Sequence, residues 1–173
     1  VDSTNRDLDL GGSSGSVNNL TLNNAATTWT LKDQDAVVGG NLTITAGTLT
    51  TRKVSTDVDL TVTGATTIGS GGAANAAKLT CNASTVSLGS DGASGTWWLD
   101  VAQGGTFDGG TGTHTIGNLN TASHADCIVT LSSGTTDFNG EYGSSNYFVK
   151  VFAAVTWSHG GGDVTFSGDG NGS

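Results

Sequence analysis

The chain has 173 residues, with 28 Gly, no Pro, no Met and 2 Cys, and its 6 Lys+Arg stand against 15 Asp+Glu for a formal charge of −9. Gly and 28 Thr together make up nearly a third of it. Because Thr is stiff at χ1 and Gly weakens a helix by about 1 kcal/mol relative to Ala, a helical fold is excluded in favour of an all-β one. The acidic balance and scattered basic residues exclude nucleic acid and anionic lipid as partners, and no apolar run reaches the roughly 18 residues of a membrane span.

Residues 1–18, with Asp2, Asp7, Asp9 and a Gly/Ser-rich stretch, read as an N-terminal arm or linker. Val1 is read as a processed end or the start of part of a longer chain. From residue 19 a four-residue unit recurs, in which Leu or Val and a second apolar residue flank a polar one. It reads Asn19-Leu20-Thr21-Leu22, Asn41-Leu42-Thr43-Ile44, Asp59-Leu60-Thr61-Val62, Lys78-Leu79-Thr80-Cys81 and Trp98-Leu99-Asp100-Val101. Looser copies begin at Ile128, Phe148 and Asp163. Between the units lie further strand-like runs, such as Trp29-Thr30-Leu31, Thr48-Leu49-Thr50, Thr66-Thr67-Ile68, Thr85-Val86-Ser87-Leu88, Thr113-His114-Thr115-Ile116 and Thr135-Thr136-Asp137-Phe138, set off by Gly and Asn.

Repetition of one unit with short strands and tight turns is the signature of a parallel β-solenoid, a β-helix whose coils stack. Side chains alternate across a strand. Leu20, Leu42, Leu60, Leu79 and Leu99 are therefore expected to form one inward ladder, with Leu22, Ile44, Val62, Cys81 and Val101 beside it and Thr21, Thr43, Thr61 and Thr80 outside. A core one coil wide needs few apolar residues, in keeping with a hydrophobic share of 35%. Absence of Pro leaves every backbone N–H free for the ladder. The alternative is an antiparallel β-sandwich or jelly roll, whose short strands recur at similar intervals.

The repeats are assigned to residues 19–140. Trp29 is the one aromatic residue before Trp97, whereas ten lie between 97 and 166. Solenoid ends expose a hydrophobic cross-section and unpaired strand edges. Residues 141–173 are accordingly read as an aromatic-rich capping or docking segment, with 142–157 apolar on both faces. The Ala-rich stretch from Gly71 to Lys78 fits a helical turn or a broad loop.

Chemical constellations are sparse. Asp33-Gln34-Asp35 and the Gly/Asp turns around Asp163 and Asp169 offer oxygen ligands for calcium, but without the tandem spacing of a calcium-binding β-roll, so no metal and no cofactor is expected. Asp91, Asp100 and Asp108 are the carboxylates that could work on a glycosidic bond. With Glu141 the sole Glu, they do not form a paired acid and base, and no enzymatic activity is expected. His114, His124 and His159 lack ligand spacing and read as surface residues. Cys81 and Cys127, 46 positions apart, read as buried small apolar residues, with a disulfide between neighbouring strands as the alternative. Trp97, Tyr142 and Tyr147 are the candidate docking or glycan contacts, because aromatic rings stack on sugars and on subunits.

Segments such as Gly40-Asn41-Leu42-Thr43-Ile44-Thr45-Ala46-Gly47-Thr48-Leu49-Thr50 and Gly105-Thr106-Phe107-Asp108-Gly109-Gly110-Thr111-Gly112 resemble the Gly/Thr-rich repeats of bacteriophage virion proteins, namely tail fibres, head fibres and capsid decoration proteins, and also those of bacterial adhesins. The resemblance covers roughly residues 17–140. It implies a β-helical, often trimeric structural element on a virion surface or otherwise extracellular, with other capsid or tail proteins, further copies of itself or a cell-surface glycan as partners. It carries over no functional residue. A bacterial adhesin or carbohydrate-binding module is the alternative.

Overall fold

The computed structural model describes residues 4–10, 17–32, 35–53, 56–72, 76–89, 97–140 and 148–168. Its strands wind into a parallel β-solenoid. β1 (Asn5–Leu8) precedes six coils. The first coil holds β2 (Leu20–Leu31), which turns a corner within itself, and β3 (Ala36–Val38). The second holds β4 (Leu42–Thr50), which turns likewise, then a hairpin of β5 (Arg52–Lys53) and β6 (Thr56–Asp57), and β7 (Leu60–Val62). The later coils have three separate strands each: β8 (Thr66–Ile68), β9 (Ala77–Thr80) and β10 (Val86–Leu88); β11 (Leu99–Val101), β12 (Gly105–Asp108) and β13 (Thr113–Ile116); β14 (Leu119–Thr121), β15 (Ile128–Thr130) and β16 (Thr135–Phe138); β17 (Val149–Lys150), β18 (Thr156–Ser158) and β19 (Asp163–Phe166).

Strands of successive coils stack on three faces. The first face runs through the leading halves of β2 and β4 to β8, β11, β14 and β17. The second runs from β1 through the trailing halves of β2 and β4 to β9, β12, β15 and β18. The third is β3, β7, β10, β13, β16 and β19. The β5–β6 hairpin is antiparallel, and the pairings between coils are parallel. Residues 5–8, in the segment read as an arm, pair in register with Thr28–Leu31, and Val17 bridges to Val38. The Ala-rich stretch ends in strand from Ala77, and residues 73–75 lie outside the described residues.

The expected inward ladder is corrected in detail. Leu42 stacks beneath Leu20 on the first face, and Leu99 joins that row through Thr66. Leu60, however, stands on the third face between Ala36 and Val86, and Leu79 on the second between Leu49 and Phe107. The same regrouping moves Val62 and Cys81 away from Ile44, and Thr61 and Thr80 away from Thr43. All three faces need an inward apolar pair around an outward residue, so the same unit serves each. Leu20, Leu42, Thr66, Leu99, Leu119 and Val149 mark one level of the first face, giving coils of 22, 24, 33, 20 and 30 residues. The spacing of about 20 in the sequence mixes steps between faces with steps between coils.

The inward rows form a single narrow core in which Leu42, Ile44, Leu49, Leu79, Leu88, Leu99, Phe107 and Ile116 are completely buried. Burying one such side chain stabilises by about 1.5–3 kcal/mol. The differing coil lengths are taken up at the corners, where asparagines replace missing backbone partners. The Asn41 N–H donates to Asn19 Oδ1 at 2.8 Å, and the Ala65 N–H donates to Asn41 Oδ1 at 2.9 Å. One coil further on, the Trp98 N–H donates to Asn118 Oδ1 at 2.8 Å.

Trp98 fills the corner between the third and first faces and is buried. Glycines above and below make room for it: a Cβ on Gly89 would meet the indole at 2.3 Å, and one on Gly117 at 2.1 Å. An indole cannot yield by that much. The substitution Gly117→Ala is therefore expected to expel Trp98, lowering stability by about 1–3 kcal/mol in denaturant unfolding and shifting the tryptophan emission to the red. Retention of the wild-type midpoint and emission would contradict this packing.

Candidate functional site

The carboxylates singled out for chemistry are divided between faces. Asp100 projects outward from β11 on the first face and accepts a 2.8 Å hydrogen bond from Asn120 Nδ2 of the next coil. Asp108 projects from β12 on the second face, 2.9 Å from Lys78 Nζ of the preceding coil. Each is held by a group one rung away, and the two do not share a face. Asp91 and Glu141 lie outside the described residues. Other acidic side chains do similar lateral work. Asp59 Oδ1 accepts from the Thr85 N–H at 2.7 Å, and Asp137 accepts from Thr165 Oγ1 at 2.7 Å.

Asp35 and Asp163 are exposed, while Asp33, Gln34 and Asp169 lie outside the described residues. Among the described residues no three His, Cys, Asp or Glu side chains come together as a metal site. Cys81 and Cys127 are buried free thiols. Burial, reinforced by nearby Asp108, pushes the Cys81 thiol far up; burial and Asp126 push Cys127 in the same direction. Protonated thiols of this kind are poor nucleophiles and poor metal ligands.

His114 departs from its expected surface position. In Thr113-His114-Thr115-Ile116 the alternation that turns Ile116 inward turns His114 inward too, in register between Val86 and Thr136. It is completely buried, 5.9 Å from the Phe107 ring in an edge-on arrangement, and neither ring nitrogen has a protein hydrogen-bond partner. His124 and His159 are exposed.

Burial lowers His114 from 6.5 to about 4, so the folded state keeps it neutral. Between those pH values the unfolded chain binds the extra proton, and stability consequently rises with pH and falls on acidification. The loss reaches about 3 kcal/mol by pH 4. Unfolding of wild type and His114→Leu, followed in urea from pH 7.5 to 4, should show a steeper decline for wild type below pH 6.5. Parallel declines would contradict a neutral buried imidazole.

Of the candidate contacts, Trp97 is half-buried, and Tyr142 and Tyr147 lie outside the described residues. Apart from Ile128 on β15, 37% exposed, the large exposed apolar side chains of the described residues lie in the C-terminal segment, where Phe152 is 37% exposed, Trp157 39% and Phe166 60%. Within the segment read as a cap or dock, the described residues form a sixth coil, β17 to β19, whose strands pair with the fifth coil on one edge. Trp157 and Phe166 occupy inward positions, as their partners Val129 and Phe138 do one coil below. Their exposure comes from the lack of a described coil on the other side.

The end is ordered by ring contacts. Phe166 stacks on Phe138 at 5.5 Å and 22°, and Phe148 meets its edge at 6.1 Å and 62°. Lys150 Nζ sits 4.9 Å from the centre of the Phe152 ring. The result is an aromatic platform at the level of β17, β18 and β19, beyond which no further strand lies among the described residues. In the sequence the signal was present as parity: Thr156-Trp157-Ser158 has the pattern of Thr48-Leu49-Thr50. Comparison of the chain with protein-family models, curated proteins and solved structures finds no match.

Proposed function

We propose that this chain is a non-enzymatic structural module on the exterior of a bacteriophage particle, a fibre or capsid decoration element that docks through its aromatic end. The observation that carries the structural part is the use of the outward polar groups. Asp59, Asp100, Asp108 and Asp137 bind the neighbouring coil, so two of the three carboxylates singled out for chemistry, Asp100 and Asp108, brace the shaft. The virion setting rests on the resemblance of the Gly/Thr-rich repeats to those of phage fibres and decoration proteins. A narrow rod with a stacked core and an acidic surface suits a spacer that must resist unfolding and avoid nonspecific contact. Other capsid or tail proteins are the partners that this reading names.

A second reading, an adhesin or carbohydrate-binding module, draws on the half-exposed Trp157, which has the character of a sugar-stacking platform. The two readings separate experimentally. Mass spectrometry across a density gradient of the native source should place this chain in the particle fraction with capsid or tail proteins. Absence from that fraction, together with retention on a glycan array that Trp97→Ala or Trp157→Ala abolishes, would establish the adhesin instead.

A further inference from the structure

Three buried polar atoms of the lumen have no protein hydrogen-bond partner and lie on adjoining rungs of the third face: Nδ1 and Nε2 of His114 on β13, and Oγ1 of Thr136 on β16. Both residues are completely buried and stand in register, so their backbones are one rung, about 4.8 Å, apart. His114 Cε1, the ring carbon between the two nitrogens, faces Gly109, where a Cβ would stand 3.0 Å away. A glycine offers the ring no side-chain group to bond. The other neighbours are apolar. Val86 is the rung partner of His114 on the opposite side, the Phe107 ring stands 5.9 Å away, and Phe138 takes the inward position two residues after Thr136.

Buried polar groups left without a protein partner are rare, and ordered water is what ordinarily meets them. Burial keeps the imidazole neutral, so one ring nitrogen donates and the other accepts, while the Thr136 hydroxyl can do either. We propose that His114 and Thr136 together bind one internal water molecule, held in the lumen between the fourth and fifth coils. The water accepts a hydrogen bond from one of the two side chains and donates one to the other, bridging a gap that they do not close directly. Pairing is what makes this a site. Thr66 Oγ1 is orphaned too, but its rung neighbours are Leu42 and Leu99, so a water there would find one side-chain partner instead of two. The bridge also pins the register of the two coils. A slip of β16 by one residue turns Thr136 to the outside and brings Thr135 and Asp137 to the lumen, breaking the bridge. This inference stands whether or not the particle setting is right.

Crystal structures of the full chain as wild type, Thr136→Ser and Thr136→Val test the site, together with unfolding equilibria of Thr136→Val alone and combined with His114→Phe. Wild type and Thr136→Ser should each show one water about 2.7–3.2 Å from a ring nitrogen of His114 and from the hydroxyl at position 136. Thr136→Val should lack it. That substitution should lower the folding equilibrium constant by about tenfold in the wild-type background, because the imidazole loses its bridge. In the His114→Phe background it should leave the constant unchanged or raise it, because the hydroxyl there has nothing left to reach. If Thr136→Val does not fold, the wild-type and serine structures decide between the outcomes by themselves. A direct hydrogen bond between His114 and Thr136, a wild-type ring with no water beside it, a water that persists in Thr136→Val, or equal losses from Thr136→Val in the two backgrounds would each overturn the proposal.

Discussion

The structure depends on one constraint: each strand must hydrogen-bond in parallel to the strand one coil away, on three faces at once. A parallel ladder satisfies backbone groups only if no residue removes a donor and every coil returns to the same level. The chain meets the first condition with its complete lack of Pro. It meets the second by confining irregularity to corners, so that coils of 20 and of 33 residues still deliver Leu99 and Leu119, or Thr66 and Leu99, to the same row. A lumen closed on three sides has room for few side chains, and this is why a chain with 35% hydrophobic residues can still fill a continuous buried core.

The same constraint sets the chemistry of the surface. Outward residues of neighbouring coils lie about 4.8 Å apart, close enough for short polar side chains to bond directly. Asp100 with Asn120 and Asp137 with Thr165 are consequences of that spacing. The Lys78–Asp108 pair is partly exposed on both sides. Pairs of that kind contribute little to stability. The interior tolerates a few exceptions. Thr66, Thr136 and His114 occupy inward positions with buried polar atoms that lack protein partners. His114 is the one whose discomfort depends on pH.

Much of this was legible beforehand. Alternation located the strand runs, the recurrence of Leu-Thr-apolar units indicated stacking, and the excess of aromatic residues after Trp97 marked the end that needed explanation. Assignment of strands to faces was not legible, because Leu60 and Leu79 sit in units that look the same as that of Leu42 although they face different walls. What distinguishes the walls is corner length, and the long corners, such as 51–59 with its hairpin, carry no strong signal of their own. The inward turn of His114 was available from the parity of Ile116 but was obscured by the ordinary polarity of histidine. Trp98 rather than Trp97 proved to be the buried member of the pair, selected by Gly89 and Gly117, which are far apart in sequence and adjacent in space.

The three-faced stack stands on the register between coils, and proximity of labels on the outer surface reports that register. Thr43 and Thr67 are ladder partners on the first face, whereas Thr61 belongs to the third. Spin labels at Thr43→Cys with Thr67→Cys, the buried Cys81 and Cys127 remaining unlabelled, should show strong dipolar broadening in continuous-wave spectra. Labels at Thr43→Cys with Thr61→Cys should show far less. Broadening confined to the second pair would mean that Leu42 and Leu60 share a wall after all, and the three-faced stack would be wrong.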